Sequence, residues 1–132
     1  MERLYVLLLV LNSAFSFSQE YTRKDSLRGH LTDIRTCYDV TFYDLNVVID
    51  DQEKSIERST NTIHFKALSD FNCIQIDLAA NMEIMAIEFE GEEIKFLREF
   101  DAVYIYFHRE IKNGEQANIK VWYGGYPREA IN

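Results

Sequence analysis

Positive charge, proline, cysteine and helical periodicity are all scarce in this chain. There is one proline, and apolar residues almost never recur every third or fourth position. A helical bundle is excluded, because its core-facing stripes need that spacing. Lys and Arg number 14 against 22 Asp and Glu, a net charge of −8. A chain so short of cations suits neither the phosphate backbone of nucleic acid nor an anionic membrane surface. The longest apolar run, Leu4 to Leu11, falls short of the about 20 residues that cross a bilayer.

Catalytic motifs are missing too. His30, His64 and His108 are the only histidines, and no two stand four apart. The His-Glu-x-x-His spacing that puts two imidazoles on one helix face is therefore absent. There is no Gly-x-Ser-x-Gly elbow, no Walker loop and no Gly-x-Gly-x-x-Gly. Neither a catalytic residue nor a metal ligand nor a cofactor-binding residue is assigned. Asp50, Asp51 and Glu53 are oxygen donors of the kind calcium takes, but a charged hairpin is the reading preferred for them. Glu88, Glu90, Glu92 and Glu93 read as a solvated face guarding a sheet edge.

Residues 1–18 have the layout of an export signal. Arg3 is the positive n-region, Leu4 to Leu11 the apolar h-region, and Ser16 and Ser18 the small residues before a cut ahead of Gln19. The expectation is an exported protein, periplasmic or extracellular, with no membrane anchor after cleavage. What remains is one domain's worth of chain. An oxidising compartment permits a disulfide between Cys37 and Cys73, worth about 4 kcal/mol on the chain-entropy model. Two separately packed free thiols are the other reading.

Residues 19–36 are polar and do not alternate, and they read as an irregular arm with a short turn around Asp25 to Gly29. From residue 37 onward the period is two. Tyr43, Leu45, Val47 and Ile49 form one apolar face of a first strand, which is expected to be buried. Ile63, Phe65 and Ala67 mark a second strand, and Ile74, Ile76 and Leu78 a third. Ile84, Ile87 and Phe89 mark a fourth, with a bulge near Met85-Ala86 where the spacing slips. Glu90-Gly91-Glu92-Glu93 is a tight connection leading to Ile94 and Phe96. Val103, Ile105 and Phe107 line the next face. Asn113-Gly114 predicts a type I′ hairpin into Ala117, Ile119, Val121 and Tyr123. Seven or so short strands without room for crossover helices predict an all-β fold, an antiparallel β-sandwich over residues 37–132. Tyr104, Tyr106 and Trp122 are the candidate exposed aromatic surface, for a sugar, peptide or protein. Cross-strand packing of these rings is the alternative.

Several segments, in order, resemble the start of exported M1-family zinc aminopeptidases. They are Asp25-Ser26-Leu27-Arg28-Gly29, Thr32-x-x-Arg35, Tyr38 through Val47, Asn61-Thr62-Ile63-His64-Phe65, Ile74-Gln75-Ile76-Asp77-Leu78 and Val121 through Arg128. The likeness spans most of residues 22–130. It implies a saddle-shaped β-sandwich that packs on a thermolysin-like catalytic domain and walls the peptide cleft. Zinc, the Gly-Ala-Met-Glu-Asn motif and His-Glu-x-x-His belong to that catalytic domain, and this chain contains neither motif. The resemblance therefore implies a non-catalytic amino-terminal domain, expected to be truncated before its catalytic partner and to lack the last strands of the sandwich. Ile56-Glu57-Arg58-Ser59 departs from the Ile-Ser-Gly turn of similar sequences and must form a different loop. The alternative is a free-standing exported module that binds a peptide or protein by strand addition.

Overall fold

The computed structural model describes residues 22–128. Residues 1–21, which include the expected export signal and the first residues of the arm, and Glu129 to Asn132 lie outside that range. Among the described residues, two short helices, α1 (Arg23–Gly29) and α2 (Asp33–Thr36), precede nine strands. These are β1 (Tyr38–Asn46), β2 (Ile49–Asp50), β3 (Ser55–Ala67), β4 (Phe71–Asp77), β5 (Met82–Phe89), β6 (Glu92–Glu93), β7 (Phe96–Glu99), β8 (Ala102–Ile111) and β9 (Gln116–Gly125). A six-stranded sheet has the order β1-β3-β9-β5-β6, with β2 also on β3, and a three-stranded sheet has the order β4-β8-β7. Every pairing is antiparallel. The all-β, sandwich-like fold is as expected.

From Thr22 on the arm is not irregular, which corrects the expectation for the described part of residues 19–36. Thr22 caps α1 reciprocally: its hydroxyl accepts from the Asp25 N–H, and the Asp25 carboxylate accepts from the Thr22 N–H at 3.0 Å. This capping box satisfies two orphan donors of a helix too short to persist alone. Three arginines then tie the arm to the strands. Arg23 reaches Glu99 at 2.9 Å, Arg28 Nε reaches Asp101 at 2.7 Å, and Arg35 pairs with Asp77.

The core lies between the inner faces of the two sheets. Phe65, Phe89, Ile74, Ile87, Ile105, Ile111, Ile119 and Val103 are fully buried there. Phe89 and Phe107 meet edge to face, ring centroids 4.9 Å apart, the arrangement the ring quadrupole favours. β3, β8 and β9 alternate as their sequences predict. The bulge in β5 falls between Ile84 and Ala86, at the expected slip. Glu90 (φ 54°) and Gly91 (φ 83°) make the tight turn between β5 and β6.

Two expectations are overturned. Asn113-Gly114 does not close a hairpin, because β8 and β9 belong to different sheets. Only Gly114 has positive φ (85°), and the Glu115 N–H donates to the Lys112 carbonyl at 2.9 Å. That is the pattern of a type II rather than a type I′ turn, and here it forms a corner between the layers. The first strand's apolar face is not buried either. Tyr43, Leu45, Val47 and Ile49 are 53, 59, 43 and 70 % exposed. β1 is the edge of the wide sheet, and the narrow sheet does not reach under its second half.

Candidate interaction surface

The uncovered part of the wide sheet is the most distinctive surface of the molecule. Tyr43 lies opposite Ile63, Leu45 opposite Asn61, and Ile49 opposite Ile56. Ile63 is buried on the inner face, so Tyr43 and Leu45 stand on that same face. Val47 and Val48 bridge to β2, held where the Val48 N–H donates to Ser59 Oγ at 2.9 Å. Tyr43 and Leu45 thus project from the side of a sheet that is core elsewhere, and the exposed Val47, Val48 and Ile49 extend this apolar row beyond the end of β1. A contiguous apolar patch of this kind marks an interface more often than a solvated surface.

A groove flanks the row on each side. One of about 310 Å³ lies between the arm and β1, lined by Arg28, Arg35, Tyr38, Val40, Tyr43 and Ile63. Burial pushes the Tyr38 phenol up to about 12, and its hydroxyl donates to the Gln75 carbonyl at 2.7 Å. The second groove, of about 360 Å³, is lined by Ile56, Leu78, Met82 and Tyr123 among others. Arg98 fixes its wall. The guanidinium donates to the carbonyls of Leu78, Ala79, Met82 and Phe100 at 2.5–3.0 Å, clamping the β4–β5 loop to the β7–β8 turn. Asp101, buried beside it, accepts from the Ala80 N–H at 2.7 Å and from Arg28. Burial works to raise the Asp101 carboxyl, but these donors outweigh it and hold the carboxyl below its ordinary value. Asn61 Oδ1, on the face of Leu45, is buried with no donor among the described residues.

Tyr104, Tyr106 and Trp122 do not form one surface. Tyr104 and Tyr106 lie on the outer face of the narrow sheet, opposite Gln75 and Cys73. Trp122 lies on the outer face of the wide sheet, opposite Thr60 and Ala86. The Asn113-Gly114 corner carries the chain from one layer to the other, so the outward faces of β8 and β9 look in opposite directions. Trp122 is occupied locally as well. Its Nε1–H donates to Glu88 at 2.8 Å, and Lys120 and Arg58 sit 4.5 and 4.8 Å from the ring centroid.

Cys37 and Cys73 are free thiols, the first buried and the second half-buried, so the disulfide is not formed. Burial pushes both thiols up, which disfavours the reactive thiolate. Asp50 Oδ1 accepts from the N–H groups of Gln52 and Glu53 at 2.9 and 3.0 Å, shaping the turn after β2. Among the described residues no group of three or more His, Cys, Asp or Glu side chains is placed to hold a metal ion. His108 faces Glu90 at 3.3 Å in an exposed cluster with Arg109. Sequence reasoning missed Arg98 and Asp101, whose roles depend on loops meeting in space. It also missed α1, although Thr22-x-x-Asp25 is a capping-box spacing.

No protein-family model matches the chain, and a search of curated proteins finds no match. Solved structures do match. An M1 zinc metallopeptidase from Deinococcus radiodurans is 22% identical with a TM-score of 0.63, over 71% of this chain and 22% of that one. A mutant of it bound to a Tyr-Ser-Ala substrate gives 22% and 0.63, over 73% and 22%. A two-domain M1 zinc metallopeptidase mutant bound to L-arginine gives 21% and 0.64, over 74% and 22%. The chain thus spans under a quarter of the length of these structural neighbours, and what it shares with them is a fold.

Proposed function

We propose that this chain is a non-catalytic, amino-terminal-type β-sandwich domain of the M1 zinc metallopeptidase kind. It docks through the uncovered inner face of its wide sheet on a catalytic domain, carried by the same or another polypeptide. The observation that supports this best is the exposed row that starts with Tyr43 and Leu45, on a face that is core elsewhere in the sheet, and runs on through Val47, Val48 and Ile49. A second folded body laid there would bury the row and fill both grooves. It would also bring a donor within reach of Asn61. A match to only 22% of the M1 neighbours' length is what a single domain of such a protein would give. Zinc and the residues that hold it would belong to the partner, and this chain would contribute a wall of the peptide cleft. Residues 1–18 would direct the protein out of the cytoplasm, to the periplasm or beyond.

The test is an aminopeptidase assay on the purified chain with added zinc and aminoacyl p-nitroanilides. No turnover above that of free zinc is expected. Saturable hydrolysis that copurifies with the chain and is lost to a chelator contradicts the reading.

A further inference from the structure

The outer edge of β1 is open. Its other side pairs with β3, and among the described residues no backbone hydrogen bond joins the outer side to any element. Nine residues of strand leave alternate N–H and C=O groups unpaired over about 30 Å. The side chains along this edge are sorted by face. Tyr43 and Leu45 project on the inner side. Asp39 and Asp44 project on the outer side, opposite Lys66 and Thr62. Residues five apart would normally face opposite ways. The bulge between Val40 and Phe42 adds one residue and returns Asp44 to the face of Asp39. Neither carboxylate has an ion pair or side-chain hydrogen bond among the described residues. Phe42 lies between them, its ring tilted 50° against that of His64 with centroids 5.6 Å apart.

We propose that the β1 edge is a strand-addition site for an extended segment that alternates apolar residues with Lys or Arg. Main-chain bonds complete the ladder, apolar side chains meet Tyr43 and Leu45, and cations meet Asp39 and Asp44. Charge selects this occupant over a second copy of the chain. Each copy carries a net charge of −8, and the two aspartates would confront their own kind. The proposal shares Tyr43 and Leu45 with the domain-docking reading but does not rest on it: it turns on the open β1 edge and on Asp39 and Asp44, which lie on the opposite face from those two residues.

The experiment measures binding of a fluorescent Lys-Val-Lys-Val-Lys-Val-Lys-Val peptide to the full chain by anisotropy. Three further peptides are compared: a Glu-Val counterpart, a Lys-Val peptide N-methylated at the valines, and one N-methylated at the lysines. Saturable binding of the Lys-Val peptide is expected, weakening as salt is added. One of the N-methylated peptides should bind at least about tenfold more weakly, since strand addition uses the N–H groups of alternate residues. The double substitution Asp39→Lys with Asp44→Lys, checked for an unchanged melting temperature, should lose Lys-Val and gain Glu-Val binding. The proposal is overturned if Lys-Val does not bind, if both N-methylated peptides bind as tightly as the parent, if the double variant binds Lys-Val as well as the wild type, or if the chain alone dimerises through β1.

Discussion

Asp101 shows how much one buried carboxylate organises. It joins the arm, through Arg28, to the β4–β5 loop, through the Ala80 N–H. Its carboxyl is held below its ordinary value, so its contribution to stability is present above the unfolded value of about 3.9. The contribution is lost as pH falls through the lower folded value. Asp101→Ala leaves a loop N–H unpaired and should cost about 1–3 kcal/mol at neutral pH. Urea unfolding of wild type and variant should show that gap narrowing as pH falls below the unfolded value of about 3.9 and through the lower folded value. A gap that stays constant with pH would mean that Asp101 acts through packing rather than charge.

At the level of elements, β1 departs furthest from its sequence pattern. Alternation of Tyr43, Leu45 and Val47 with Asp44 and Asn46 correctly marks a strand with one apolar face. It does not say whether a second layer lies under that face. β3 and β8 show the same period, and their faces are buried because they sit centrally in their sheets. An edge strand looks identical in sequence, since its solvation depends on how far the opposite sheet extends. The Asn113-Gly114 turn fails for a related reason: the dipeptide specifies local φ values, while distant pairing decides whether the flanking strands meet. The β5 bulge was legible because it breaks the period within the strand itself. Because Tyr43 and Leu45 lack a covering layer, replacing both with serine should change stability by no more than about 0.5 kcal/mol per site. Thermal or urea denaturation checks this. A loss of several kcal/mol would place both residues in the core after all.

Taken whole, the molecule is a two-layer sandwich with unequal layers. The narrow sheet covers the part of the wide sheet where Phe65, Ile119 and Val121 lie and leaves the Tyr43–Ile49 end open. The sequence showed the all-β class and the layer count, because inward and outward residues alternate along most strands. It could not show the overhang, and it placed the interaction surface on aromatic residues that the fold sends to opposite sides. The central claim is that the overhang is covered by a catalytic domain in the native assembly. The most direct test is affinity capture from a native extract, with tagged wild type beside the Tyr43→Ser and Leu45→Ser double variant, read by mass spectrometry. The account predicts that wild type retains a polypeptide carrying His-Glu-x-x-His and that the folded double variant does not. Equal recovery of that polypeptide by both proteins would contradict it.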